Sequence, residues 1–285
     1  MIVGTGGRWR VVAVYALVVA VGAAAFLYPF WLPPGSLPSN AHAGDAPLVS
    51  ALIGVLVVVA VTLELRRGSM NGATVAVLGV LSATAGLLRL VDLPGGGSGI
   101  FFLVVLAGAA FGPRFGMLLG LCAMATSAVI TGGIGPWLPF QMLALGWMGG
   151  TAGLVGRVTR RLPTAAEVAV LAAFGWVWGF LYGAIMNLWF WPFAVGEGPL
   201  SWVPGLSFGA TLSRYRSFYV ATSLAWDAAA SVTNALLIVA TARPLLASMR
   251  RVAGRLDPVV EMLDDEVSGP GRAGGALSVE GASAG

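Results

Sequence analysis

Polar side chains repeat at helical spacing in the last long apolar run, and these are the residues best suited to chemistry. Asp227 is a carboxylic acid in an otherwise apolar stretch, Asn234 follows seven residues later, and Ser223 and Ser231 lie four residues to either side. A helix places all four on one face. An intramembrane carboxylate is costly and usually faces a cavity or a polar partner. The stripe predicts either a ligand-binding acid or a structural partner, for instance an ion pair with Arg89, and both interpretations remain open.

A second ionisable pair, Arg89 and Asp92, lies at the end of the third apolar run. Their spacing of three residues lets the two side chains share a helix face. They are candidates for contacts with a polar group of a ligand. The alternative is an interfacial ion pair, which contributes little stability.

Aromatic residues cluster at the end of the seventh run and in the loop that follows, with Asn187 just before them. Trp favours the membrane–water interface, and its flat face also binds rings. The cluster is therefore either an interfacial belt or a stacking wall for a heterocycle, and the amide of Asn187 favours the pocket. Its members are Trp189, Phe190, Trp191, Phe193 and Trp202, with Glu197, Arg214 and Tyr215 along or beyond the loop.

The segment 131–141 is rich in Gly and Pro, which favours a tight return between the fifth and sixth runs. Within it, Trp137 offers a ring face and Gln141 offers an amide. We predict that both residues contribute to a binding site in this loop. For Gln141, a hydrogen bond between helices is an equally good interpretation.

The elements that must position these residues are membrane helices. Of the 285 residues, 58% are hydrophobic and only 10% are charged, whereas a soluble domain carries roughly a quarter charged residues. The sequence predicts an all-α integral membrane protein with about eight transmembrane helices. A last helix beginning near residue 218 would place Asp227 roughly 15 Å deep. The apolar runs are 11–32, 48–65, 72–91, 100–111, 115–131, 138–155, 165–191 and 218–242.

The positions of the basic residues predict the orientation. All 16 basic residues are Arg. A cytoplasmic N-terminus places all of them on the cytoplasmic side except Arg89, Arg214 and Arg216, as the positive-inside rule requires. An even number of crossings then places the C-terminus in the cytoplasm as well. We expect a multi-pass protein of the plasma membrane, and a Gly/Ala/Ser-rich tail at 268–285 that is disordered.

Missing residue types exclude several classes of function. Without Lys there is no Walker-type P-loop and no Schiff-base chemistry, so the chain cannot hydrolyse ATP by that route. His42 is the only His and Cys122 the only Cys, which excludes a Cys/His metal cluster and an internal disulfide. We expect no catalytic residues, no metal and no cofactor. Because the Arg residues lie at the ends of apolar runs, we expect lipid and not nucleic acid as a partner.

From residue 72 onward the sequence resembles the substrate-binding S components of energy-coupling factor (ECF) transporters of high-GC Gram-positive bacteria. The family has six crossings, which correspond to the third through eighth runs, and the first two runs are an addition to that pattern. The most specific stretch is GGIGPWLPFQM. The resemblance rests on FFLVVLAGAAFGPRFGMLLG (101–120), ITGGIGPWLPFQMLALGWMGG (130–150), MNLWFWPF (186–193) and FYVATSLAWDAAASVTNALL (218–237).

The resemblance implies a domain organisation and a division of labour. A two-helix hairpin at 1–67 precedes a six-helix substrate-binding module at 68–247, and a cytoplasmic tail follows at 248–285. An S component captures a vitamin or related micronutrient from outside. It then delivers this ligand inward together with an ECF coupling transmembrane protein and two cytoplasmic ATPases. The alternative function is a self-sufficient secondary carrier that uses Asp227 as a proton site.

Small residues recur at a spacing of four in the third run, where Gly72 pairs with Ala76 and Gly79 with Ala83. Such spacing makes a flat surface for close helix packing. The resemblance implies that this face docks the coupling protein. Packing within the chain itself is the alternative.

Overall fold

The computed structural model describes residues 6–32, 41–91, 93, 97–194 and 198–256, and every extended regular element in this part of the chain is a helix. Asp92, Glu197 and the tail at 257–285 lie outside the described residues. The helices are α1 (Gly6–Leu27, continued by a 3₁₀ turn Tyr28–Trp31), α2 (Ala46–Arg66), α3 (Gly72–Leu88), α4 (Ile100–Phe111), α5 (Pro113–Thr131), α6 (Leu138–Thr159), α7 (Thr164–Phe190, followed by a 3₁₀ turn Trp191–Phe193), α8 (Phe208–Thr222) and α9 (Leu224–Leu256).

Five segments of the described chain are long and apolar enough to cross a membrane, so the chain is a helical membrane protein. The five lie in α1, α2, α5, α7 and α9. Helices α3 and α4 are apolar but shorter. At 17 and 12 residues they extend about 26 Å and 18 Å, against about 30 Å for a bilayer core.

Helix α4 forms the centre of the bundle, where it packs against α5, α6 and α9. Its residues 100–109 are all buried, as expected for a helix that is apolar around its whole circumference. Next to it, α5 and α6 approach so closely that a Cβ on Gly116 would collide with the carbonyl oxygen of Gly149. Glycine therefore allows the helix packing that small residues support in membranes.

The two-helix hairpin formed by α1 and α2 packs against α6. Val18 and Phe26 of α1 and Ile53 of α2 form a buried cluster with Phe140 and Leu143 of α6. A Cβ added at Gly22 would also meet Leu143 and Trp147 of α6. The hairpin therefore shares apolar contacts with the helices that follow it.

Ion pairs connect the helices at the end of the bundle where α2, α6 and α9 finish; we call it the basic end. Arg250 of α9 donates two hydrogen bonds to the Glu167 carboxylate of α7, from Nη2 to Oε1 at 2.6 Å and from Nη1 to Oε2 at 2.8 Å. Thr159 of α6 donates to the same carboxylate at 3.1 Å. Glu64 of α2 lies 3.5 Å from Arg114 of α5.

Candidate functional site

The polar stripe of α9 faces a stripe of glycines on α7. Asn234 is buried, and its Nδ2 donates to the carbonyl oxygen of Gly175 at 2.8 Å. Ser231 is also buried and lies so close to Gly179 that a Cβ there would collide with it. This part of the stripe therefore joins two helices, and the structure places Asn234 in the helix interface.

The third pair along this interface is Asp227 with Gly183. A Cβ on Gly183 would collide with the Asp227 carboxylate, so the glycine leaves the room that the acid occupies. The Oδ2 atom of Asp227 is buried and has no hydrogen-bond partner among the described residues, while the Tyr219 hydroxyl of α8 is a hydrogen-bonding neighbour of the carboxylate. Within the same part of the chain, no ion pair joins Asp227 to Arg89.

The predicted position of Asp227 within the last helix is wrong. It lies in the first turn of α9, which begins at Leu224, and not ten residues inside the last helix. The apolar run continues across a break at Ser223, where φ is −123° and ψ is −30°, and hydropathy does not register a change of helix. Asn187 of α7 donates to Ser223 Oγ at 2.7 Å and so supports this break. The first turn of a helix also favours a negative charge.

A cavity of about 400 Å³ is lined by Asp227, Arg89 and Gln141, among other residues. These three residues come from the first turn of α9, the end of α3 and the first turn of α6. The structure therefore brings together three of the residues that the sequence singles out. We call this space the Asp227 cavity. Its aromatic rings are Phe101, Tyr182 and Trp226.

Gln141 and Arg89 contribute an amide and a cation to the cavity. Gln141 lies within α6, which begins at Leu138. This confirms the predicted run 138–155, and the predicted loop 131–141 therefore ends before Gln141. Its Oε1 is buried and lacks a hydrogen-bond partner among the described residues. The Arg89 Nη1 donates to Met124 Sδ at 2.8 Å and to Ser127 Oγ at 3.5 Å.

The predicted Trp residues do not line the Asp227 cavity. Trp191 is 1% exposed, and its Nε1 donates to the Leu200 carbonyl oxygen at 2.8 Å. Trp137 is partly exposed, and its Nε1 donates to the Gly133 carbonyl oxygen at 3.2 Å. Trp189 contacts Trp137 edge to face, with ring centroids 6.3 Å apart. Trp137 and Trp189 therefore contact each other, and Trp191 contacts Phe30, Tyr215 and Phe218.

Sequence reasoning assigned no role to His42, which the structure places among these aromatic rings. Its fully buried imidazole lies 4.4 Å from the ring of Phe140, 4.7 Å from Phe193 and 6.1 Å from Trp189, measured between centroids. The Trp189 ring is nearly parallel to it, at 23°. The imidazole of His42, from the loop between α1 and α2, thus lies against the aromatic residues that the sequence predicts to stack on the ring of a ligand. We call these four residues and Tyr28 the His42 cluster.

Asp45 orients the imidazole of His42. Its Oδ2 lies 2.7 Å from His42 Nδ1 and accepts a second hydrogen bond from the Tyr28 hydroxyl at 2.9 Å. Burial lowers the pKa of His42, and the nearby Asp45 carboxylate opposes this shift. The spacing of His42 and Asp45 just before α2 is the one sequence signal that could have revealed the contact.

The small-residue stripe of α3 is exposed. Gly72, Ala76, Gly79 and Ala83 all face away from the bundle. A Cβ added at Gly72 or Gly79 would meet no atom within 4 Å. The described part of the chain therefore leaves this face without a packing partner.

Comparisons with protein-family models, with curated proteins and with solved structures find no match.

Proposed function

We propose that this chain is the membrane-embedded substrate-capture subunit of an ECF-type importer. The observation that carries the proposal is the Asp227 cavity, in which Arg89, Gln141 and Asp227 converge from three helices. A small-molecule site is typically a largely apolar cavity with a few convergent polar groups, and this description fits. Two of these helices, α6 and α9, lie in stretches that resemble S components.

The volume of the cavity restricts the substrate. At about 400 Å³ it lies near the lower end of the range for small-molecule sites, roughly 300 to 1,000 Å³. A pyrimidine or a compact fused-ring vitamin is of suitable size. A corrinoid, with its macrocycle and side chains, is too large. We therefore propose a vitamin or precursor with one to three rings.

The proposed topology has eight crossings, formed by α1 to α7 and α9, with both termini in the cytoplasm of a plasma-membrane protein. The arginines at the basic end favour a cytoplasmic position for that end. The short helix α4 is buried among other helices, so its length need not match the bilayer. The capture site then opens to the outside.

The exposed stripe of α3 is the proposed docking face for the coupling protein. Replacement of Ala76 or Ala83 by Leu adds bulk where the described part of the chain provides no packing partner. We expect binding of the substrate to persist while transport is lost, because only the docking contact is blocked. Loss of both together would indicate a folding defect and would argue against docking.

Reconstitution in proteoliposomes tests the proposal. The chain is combined with an ECF coupling transmembrane protein and two ATPases, and uptake is measured with and without ATP. The expected result is stable co-purification of the four subunits and uptake that requires ATP. Uptake by this chain alone, driven by a proton gradient and lost in Asp227→Asn, would instead support a secondary carrier. The Oδ2 atom of Asp227, which has no partner among the described residues, also suits a proton site.

A further inference from the structure

Two hydrogen-bond acceptors of the Asp227 cavity have no donor. Asp227 Oδ2 and Gln141 Oε1 are both buried and lack partners among the described residues, and both residues line the cavity. A buried acceptor without a donor is costly, and the cost is larger for a charged group. Since both residues line the cavity, N–H groups of a ligand there can become the partners of these two oxygens after a small side-chain adjustment.

The same cavity is lined by a cation whose partners among the described residues are weak. The Arg89 guanidinium carries five N–H donors in a planar fork, yet its recorded acceptors are a thioether and a distant hydroxyl. No carboxylate of the described residues lies within salt-bridge distance of it. A guanidinium binds planar anionic groups best, through paired hydrogen bonds. A carboxylate on the ligand would supply that partner.

Aromatic side chains restrict the shape of a ligand that would lie between Asp227 and Arg89. Phe101 and Tyr182 both line the cavity, with ring centroids 4.7 Å apart. Aromatic side chains favour stacked or edge-to-face contacts with another ring. The cavity therefore suits a flat ring with polar groups on its edge.

We infer that the Asp227 cavity takes a small amphoteric ring compound, with amine N–H donors toward Asp227 and Gln141 and a carboxylate toward Arg89. This inference rests on the proposed function, because it assumes that the cavity is the capture site. A polyanion is disfavoured by Asp227 and a ligand with only cationic groups by Arg89. Amino-substituted aromatic or heteroaromatic carboxylic acids belong to the expected class.

Binding of matched probes to the full-length protein in lipid nanodiscs tests this inference. One set consists of 4-aminobenzoate, aniline and benzoate, and a second of 2-aminopyrimidine-5-carboxylate, 2-aminopyrimidine and pyrimidine-5-carboxylate. Affinity is measured by calorimetry and by thermal stabilisation. We expect the amphoteric member of at least one set to bind about tenfold more tightly than either single-function relative. Equal affinities within both sets, or no binding by any probe, would overturn the inference.

Single substitutions separate the two charged contacts. Arg89→Gln should remove the preference for the carboxylate, and Asp227→Asn should remove the preference for the amine. Arg89→Lys keeps the charge and should retain part of the carboxylate preference, even if Arg89→Gln folds poorly. Arg243→Gln, an exposed arginine of α9 away from the cavity, is the matched control and should change neither. Unchanged probe preferences in the two cavity variants would contradict the assignment.

The inference and the proposed function fail in different ways. If the amphoteric probes bind but no ATP-dependent uptake occurs with a coupling protein and ATPases, the ligand class stands and the transporter role fails. If uptake occurs for a compound that lacks either the N–H donor or the anionic group, the transporter role stands and the ligand class fails.

Discussion

The His42 cluster and the Asp227 cavity lie in the same bundle but differ in what fills them. In the first, the imidazole of the α1–α2 loop occupies the space between Phe140, Trp189 and Phe193. In the second, about 400 Å³ remains open beside a carboxylate and a guanidinium. The space between aromatic residues that suit a ligand can therefore be filled by the chain itself. Open volume next to a carboxylate and a guanidinium distinguishes the better candidate.

The largest expected effect comes from Gly183→Leu, which fills the space that the Asp227 carboxylate occupies. Overpacking of this kind costs roughly 1 to 3 kcal/mol, and it also displaces the acid from the cavity. We expect binding of the amphoteric probe to be lost and the melting temperature to fall. Gly54→Leu is the control, because a Cβ there meets nothing within 4 Å. Retained binding in Gly183→Leu would show that the position of Asp227 does not matter.

The next comparison separates two residues of one stripe. Asp227→Asn should weaken probe binding about tenfold or more with little change in stability, because Oδ2 has no partner among the described residues to lose and an amide oxygen can still accept from the Tyr219 hydroxyl. Asn234→Ala should lower the free energy of unfolding by about 1 kcal/mol, since it removes the hydrogen bond to Gly175, and should leave binding unchanged. Calorimetry and thermal unfolding measure both. Weakened binding in Asn234→Ala, with unchanged binding in Asp227→Asn, would indicate that the ligand binds near Asn234 and not near Asp227.

His42→Ala probes the other region. Removal of the buried ring leaves a void among Phe140, Trp189 and Phe193 and leaves Asp45 without its imidazole partner. We expect a loss of roughly 1 to 3 kcal/mol in the free energy of unfolding, while probes for the Asp227 cavity bind as before. His42→Phe keeps a ring in place and should recover part of the loss. Weakened probe binding in both variants would mean that the two regions form one site.

The smallest expected effect is a dependence of stability on pH. Burial lowers the pKa of His42 below its ordinary value of 6.5. At a pH between the lowered pKa of the folded state and 6.5, the unfolded chain therefore binds a proton that the folded chain does not. The free energy of unfolding should therefore fall as the pH drops below about 6.5, until the folded form is protonated as well. Thermal unfolding from pH 7.5 to 5 measures this slope. If the His42→Phe variant shows the same dependence of the free energy of unfolding on pH, another titrating group is responsible for it.

Most helix positions could be predicted from the sequence, because apolar runs of bilayer length appear directly in the chain. Helix α4 is an example, since the run 100–111 and the helix coincide. The break at Ser223 could not be predicted, because apolar residues continue across it. Five described segments, and not eight, meet the length and hydropathy expected of spans. Helices α3 and α4 are too short, and α6 is long enough at 22 residues but does not reach the required hydropathy.

The candidate site could be predicted only in part, for a physical reason. Asp227, Gln141 and Arg89 are polar residues that lie within apolar runs or at their ends. Because a polar side chain in a membrane is energetically costly, such residues can be recognised in the sequence. Which of them share a cavity depends on how the helices pack, and this is set by glycines such as Gly175 and Gly183. The insertion of His42 among the rings depends on a contact between distant segments, which composition and spacing do not reveal.

Native mass spectrometry of the purified protein tests the central claim most directly, namely that the Asp227 cavity is the ligand site. We predict that the wild-type chain retains a small molecule, that Asp227→Asn loses it, and that His42→Phe keeps it. A molecule that stays bound in Asp227→Asn but is lost in His42→Phe would place the site in the aromatic region and contradict the account. A wild-type protein that retains no small molecule under mild detergent would contradict it as well.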